Sequence, residues 1–129
     1  MGSQDDYRIE DGDQFVRVAL HCRLVDSADA DRLLRDVDTA LARTGFDRVM
    51  FDYRGVDGHG EEVRDAMWTW AAERALRAVA LVVDGEMTRV RTNMTALSRK
   101  VRLRAFMDEG EATQWMREPG RRTREIPSI

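Results

Sequence analysis

Two histidines, one cysteine and a glycine-rich loop are the features of this chain whose residue types invite chemistry. The loop reads Gly55-Val56-Asp57-Gly58-His59-Gly60 and runs directly into Glu61 and Glu62. It follows an apolar run and precedes an amphipathic one, which puts it beyond the carboxyl end of a strand and at a helix N-terminus, where open α/β sheets hold ligands. Asp57, His59 and the adjoining carboxylates would form an acid–base set if His59 reached a carboxylate inside a concave site. Nucleotide binding is disfavoured. The glycine spacing is not that of a dinucleotide fingerprint, no Lys-Ser or Lys-Thr pair follows as in a P-loop, and two glutamates repel a phosphate.

The other candidates fail on spacing. Asp57 and His59 have no further His or Cys nearby to complete a metal site. His21 and Cys22 are neighbours in an extended segment, so they point to opposite sides and cannot act as a base and nucleophile pair. Ser3, Ser27, Ser98 and Ser128 lie outside any GxSxG elbow. Lys100, the sole lysine, falls before the last predicted strand, which deprives a phospho-accepting aspartate cluster of its charge partner. The expectation is therefore no catalytic residue, no cofactor and no metal. A single cysteine excludes an internal disulfide and a CxxC site, and fits a reducing, cytoplasmic setting.

Trp68 is the remaining residue of note, because it lies five residues from Val63 and turns away from the apolar stripe toward Ala72 and Ala75. A large aromatic beside small residues suits an interface anchor, although packing under a neighbouring helix is the alternative. The expected partner surface is Gly55, Asp57, Gly58, His59, Gly60, Glu61, Glu62 and Trp68, read by an unidentified protein, with homodimerisation as another way to cover it.

The elements that must carry these residues follow from hydropathy. Tyr7 to Ile9 and Phe15 to Val25 read as a hairpin around Glu10-Asp11-Gly12-Asp13. In the second strand Val16, Val18, Leu20, Cys22 and Leu24 alternate with Arg17, Ala19, His21 and Arg23. Asp26 or Ser27 caps a helix bearing Ala30, Leu33, Leu34, Val37, Ala40 and Leu41, which Gly45 ends. Strand Arg48 to Tyr53 precedes the loop, and the helix from Glu61 to Arg77 buries Val63, Ala66, Met67, Trp70, Ala71 and Leu76. Ala78 to Val83 is a continuous apolar strand. The helix Glu86 to Arg99 is expected to turn Met87, Val90, Met94 and Leu97 inward, with Asp84 as its cap. Strand Val101 to Met107 follows, then a helix capped by Asp108 with Ala112, Trp115 and Met116 inward. The predicted fold is α/β: a single mixed, mostly parallel five-stranded sheet with an N-terminal antiparallel hairpin and four helices, in the order ββαβαβαβα. Residues 1–118 form one domain and residues 119–129 a mobile polar tail.

A net charge of −3 over 129 residues gives no general attraction to nucleic acid. Acids crowd the first third, whereas Arg89, Arg91, Arg99, Lys100, Arg102 and Arg104 run without an intervening acid. If the second and last strands were neighbours, Arg17, His21 and Arg23 would join Arg102 and Arg104 in a cationic strip. No stretch nears the ~18 apolar residues of a membrane span, and the opening residues lack a signal pattern, so neither export nor membrane insertion is expected.

The strand and turn Val49-Met50-Phe51-Asp52-Tyr53-Arg54-Gly55-Val56 and the closing segment Arg102 to Met116 resemble the SpoIIAA-like family, a branch of the STAS and Sec14-like α/β proteins of bacteria. The resemblance spans Asp13 to Arg117. It implies a regulatory domain acting through protein–protein interaction. Anti-sigma factor antagonists of this group switch partners when a serine in an Asp-Ser-Ser-Gly-like motif is phosphorylated. Here the equivalent stretch, Asp57 to Glu62, has no hydroxyl, so that switch does not carry over; Glu61 or Glu62 could mimic the modified state, or simply favour the helix dipole. The leading expectation is a non-enzymatic regulatory or adaptor domain. The alternative is a small hydrophobic-ligand or lipid-binding domain of the Sec14-like type, which a cavity of ~300 Å³ or more, lined by Met67, Trp70, Met87 and Met94, would favour. An enzyme using His59 and nearby carboxylates is the third reading.

Overall fold

A computed structural model describes residues 6–56, 59–74 and 76–117. The tail at 119–129 lies outside the described residues. The elements are β1 (Tyr7–Asp11), β2 (Val16–Leu20), α1 (Ser27–Thr44), β3 (Arg48–Asp52), α2 (Glu61–Glu73), β4 (Ala78–Val82), α3 (Glu86–Arg99), β5 (Leu103–Phe106) and α4 (Glu109–Arg117). The mixed sheet and its four helices are those expected. Strands lie in sequence order, β1 to β5, with β1 antiparallel to β2 and the rest parallel.

This monotonic order decides the layering. Right-handed crossovers that all step the same way must leave their helices on one face. Accordingly α1, α2 and α3 cover the face bearing Val16, Val18, Val49, Phe51, Val79 and Leu81, and among the described residues α4 alone covers the other. On the first face α1 buries Ala30, Leu33, Leu34, Val37 and Ala40. Its ends are set by Asp26, whose carboxylate accepts from the Asp29 amide at 3.0 Å, and by Gly45 at φ 78°. On the second face Ala112, Trp115 and Met116 of α4 pack on Met50, Ala78, Ala80, Val82 and Phe106. The alanines of β4 admit the larger α4 side chains, and Trp115 meets Phe106 at 5.6 Å between ring centres.

Four sequence expectations are corrected. β2 ends at Leu20, so His21 to Val25 form a connector instead of strand, and Val25 is exposed. β2 and β5 stand three strand positions apart, about 14 Å, so no continuous strip of Arg17 with Arg102 and Arg104 forms. Asp84 does not cap α3: that N-cap is Gly85 without a side-chain bond, and Asp84 instead accepts from the Gly55 amide at 2.7 Å. The largest departure is α3 itself. Met87, Met94 and Leu97 are 68%, 65% and 69% exposed, Val90 is also exposed, and Ala96 is the buried residue of that helix.

The position of α3 explains this orientation. It rests on the edge strand β5, where the Asn93 amide group pairs with the backbone of Ala105, accepting from its N–H at 2.7 Å and donating to its carbonyl at 3.2 Å. Asn93 thus takes the place of a further strand on that edge. The face carrying Asn93 and Ala96 is held inward, and the apolar stripe is left in solvent.

Candidate functional site

The crest of the sheet at the carboxyl ends of β3 and β4 carries the glycine-rich loop. Gly55 turns the chain at φ 84°, and its amide is anchored on Asp84. Beyond it, the connector after β2 clamps the far end of the loop. Gly60 donates to the Leu24 carbonyl at 3.0 Å, the Leu24 amide donates to Nδ1 of His59 at 3.0 Å, and Glu62 accepts from the Ser27 amide at 3.1 Å. Gly60 sits so close to this connector that a Cβ would fall 2.7 Å from the Val25 carbonyl oxygen. Glu62 therefore has a structural partner, whereas Asp57 and Gly58 lie outside the described residues.

His59 is buried, 5% exposed, and its ring stands edge to face with Tyr53 at 5.1 Å. Because Nδ1 accepts an amide proton, the ring proton must reside on Nε2, and the side chain is neutral. Burial, reinforced by the charges of Arg23 and Arg64, pushes its pKa down to about 4. Nε2 is itself buried and meets no acceptor among the described residues. No carboxylate among them hydrogen-bonds His59 either, so the acid–base reading lacks the contact it required.

His59 borders a cavity of about 450 Å³ between α2, α3 and the sheet. Its floor is Phe51, Tyr53, Val79, Leu81, Val83 and Leu103; α2 supplies Arg64, Met67, Trp68, Trp70 and Ala71, and α3 supplies Thr88, Arg91, Thr92 and Thr95. The space exists because α2 leans on α1 while α3 is drawn to β5. Met67 and Trp70 line it as the ligand-binding alternative required, but Met87 and Met94 point away into solvent. Trp68 is half-buried at this wall, with the Arg99 guanidinium 5.3 Å over its ring, and Ala75, its expected neighbour, lies outside the described residues. Several polar atoms nearby are already engaged. Trp70 donates to Asp38 at 3.0 Å, Tyr53 to the Met67 sulfur at 3.1 Å, and Thr95 to the Arg91 carbonyl at 3.0 Å.

On the opposite face a charge cluster closes the crest. Arg17 bonds Asp52 at 2.7 Å and Glu109 at 2.9 Å, and Arg54 bonds the same two carboxylates at 2.8 and 2.7 Å. Burial favours a protonated Asp52, but hydrogen bonds from Arg54 and the charges of Arg54 and Arg17 hold its carboxyl below the usual range. Hydrogen bonding to Arg17 does the same for Glu109. This network neutralises the cationic face expected around Arg17 and ties β2, β3 and the start of α4 together. Among the described residues no three His, Cys, Asp or Glu side chains are grouped to hold a metal, and no helix is long and apolar enough to cross a membrane.

Sequence reasoning missed the α3 stripe as a surface; it raised the cavity as an alternative but lined it with Met87 and Met94, which the structure turns outward. The available signal was the spacing 87, 90, 94, 97, which is a narrow coiled-coil seam and not the wider stripe of a core helix.

No protein-family model matches the chain, and no curated protein matches it in sequence. Solved structures match it in shape. An uncharacterised protein with a SpoIIAA-like fold from Shewanella loihica superposes with a TM-score of 0.65 at 18% identity, covering 85% of this chain and 91% of that one. An anti-sigma factor antagonist from Mycobacterium paratuberculosis gives 0.65 at 18% identity, covering 87% and 93%. The anti-sigma factor antagonist SpoIIAA in its unphosphorylated form gives 0.58 at 10% identity, covering 87% and 98%. With these identities the likeness is one of architecture, and the chain has the SpoIIAA-like α/β fold.

Proposed function

We propose that this chain is a non-enzymatic regulatory domain that acts by binding a protein. The observation that carries this reading is the exposed seam of Met87, Val90, Met94 and Leu97 along α3. Scattered apolar residues on a surface are ordinary, but four in line on one helix form a contiguous patch, which marks an interaction site. Spacing of three and four residues suits an amphipathic helix laid along it. Arg99 and Lys100 at its end favour an acidic flank on the partner. The proposed contact surface also takes in Gly55 and Gly60 of the loop and Glu61, Glu62 and Trp68 of α2; Asp57 and Gly58, expected with them, lie outside the described residues. Two neighbours of this fold are anti-sigma factor antagonists, which supports a regulatory role. The test is partner capture from host extract by wild type and by a Met94→Glu/Leu97→Glu variant. A protein retained by the wild type and lost by the variant, with thermal stability unchanged, supports the reading; equal retention rejects it.

The cavity favours a second reading, in which the domain holds a small apolar molecule. Its volume of about 450 Å³ lies within the range of ligand sites, roughly 300–1,000 Å³.

A further inference from the structure

The exposed seam of α3 repeats at three and four residues, so Met87 and Met94 hold one position of a heptad and Val90 and Leu97 the other. A helix of the same spacing is what covers such a seam, and α3 is itself one. Its charges are arranged end for end. Glu86 is its first residue and Lys100 its C-cap; both are exposed, and the pair that Glu86 makes with Arg89 runs along its own helix. When two copies of α3 are laid antiparallel, with Met87 over the partner's Leu97 and Val90 over the partner's Met94, heptad geometry sets Glu86 beside the partner's Lys100, and two-fold symmetry repeats the contact. The helix dipoles are then opposed, which is favourable. A parallel alignment would instead crowd Arg99 and Lys100 of both copies together at one end. Asn93 and Arg91 flank the two-fold axis, each facing its own copy. Asn93 is neutral and bonded to Ala105, while Arg91 borders the cavity and has that space to turn into.

We propose that the partner of the α3 seam is a second copy of this chain, joined through a two-fold, antiparallel pair of α3 helices. The inference rests on the reading of the seam as a protein contact and names that partner. Burial of the apolar residues supplies the attraction, and the Glu86–Lys100 contacts at both ends fix direction while adding little strength. Four apolar side chains from each copy fall short of the ~800 Å² per partner of a stable interface, so the dimer is a reversible one of micromolar affinity. Residues 119–129 are a poorer cover, because Arg121, Arg122 and Arg124 outnumber Glu125 and repeat the basic sign at the end of α3.

Sedimentation of the full chain from micromolar to near-millimolar concentration tests this, with circular dichroism checking that each variant is folded. The mass is expected to rise from monomer to dimer and stop there. Met94→Glu/Leu97→Glu should weaken the dimer at least tenfold. Glu86→Lys and Lys100→Glu should each weaken it about fivefold, because like charges then meet at both ends of the pair. An equimolar mixture of those two variants should recover the affinity of the wild type, since each introduced charge then faces its opposite. Weakening by Glu86→Lys with no effect of Lys100→Glu overturns the antiparallel register, and a dimer unchanged by Met94→Glu/Leu97→Glu overturns the interface. A wild type that stays monomeric throughout overturns the self-pairing, whether another protein or residues 119–129 cover the seam. If that monomer retains a host protein which Met94→Glu/Leu97→Glu loses, the protein-contact reading stands without self-pairing; equal retention overturns both. Should the double glutamate variant unfold, the charge exchange alone decides.

Discussion

Acidification from pH 7 to pH 5 should destabilise this protein through one side chain. His59 has a pKa of about 4 when folded and 6.5 when exposed, so between these values the unfolded chain binds more protons than the native one. The contribution is fully present above pH 6.5 and declines as pH falls toward 4. A shift of this size corresponds to about 3 kcal/mol over the whole window and about 2 kcal/mol by pH 5. Domains of this size have only about 5–15 kcal/mol of total stability, so the loss is measurable. With a urea m-value of about 1.5 kcal/mol per molar, the midpoint should fall by more than 1 M between pH 7 and pH 5. The carboxylates with lowered pKa values, Asp52 and Glu109 among them, lose their contributions at lower pH, so the pH 5 measurement isolates the histidine. The matched control is His59→Asn, which keeps an acceptor for Leu24 and removes the titration. Its midpoint should vary by only a few tenths of a molar over the same range. Equal pH dependence in wild type and variant would refute the buried, neutral state assigned to His59.

Three further outcomes follow from the geometry. Gly60→Ala should cost about 1–3 kcal/mol in urea unfolding, because its Cβ would press on the Val25 carbonyl; Gly85→Ala, which meets only Thr88 Oγ1 at 3.6 Å, should be nearly neutral. Asn93→Ala should cost about 1–3 kcal/mol and hasten hydrogen exchange of the Ala105 amide, since that N–H loses its acceptor. Asp52→Asn should cost about 1–3 kcal/mol at pH 7 by leaving Arg17 and Arg54 to share Glu109. That difference should begin to shrink below pH 3.8, the ordinary value of the carboxyl, and vanish only at the lower pH where the folded wild type is itself protonated.

The sequence alone determined the elements and their order, because the forces that set them are local. Alternation marked β2, helical spacing marked α1, and Asp26, Gly45 and Asp108 sit at helix ends where a short acceptor or a left-handed residue is needed. The continuous apolar run of β4 announced burial on both faces. The structure decided which partner each face meets. An amphipathic pattern states that one side of a helix prefers cover, but it cannot say what supplies it. For α3 the Asn93 bonds to Ala105 hold the polar face inward, and the seam from Met87 to Leu97 is left outside. The same holds for His59, whose proton is placed by the amide of Leu24, 35 residues earlier in the chain. Side-chain chemistry was legible in the residue type, whereas protonation, burial and the space beside it arose from contacts made only when distant segments came together.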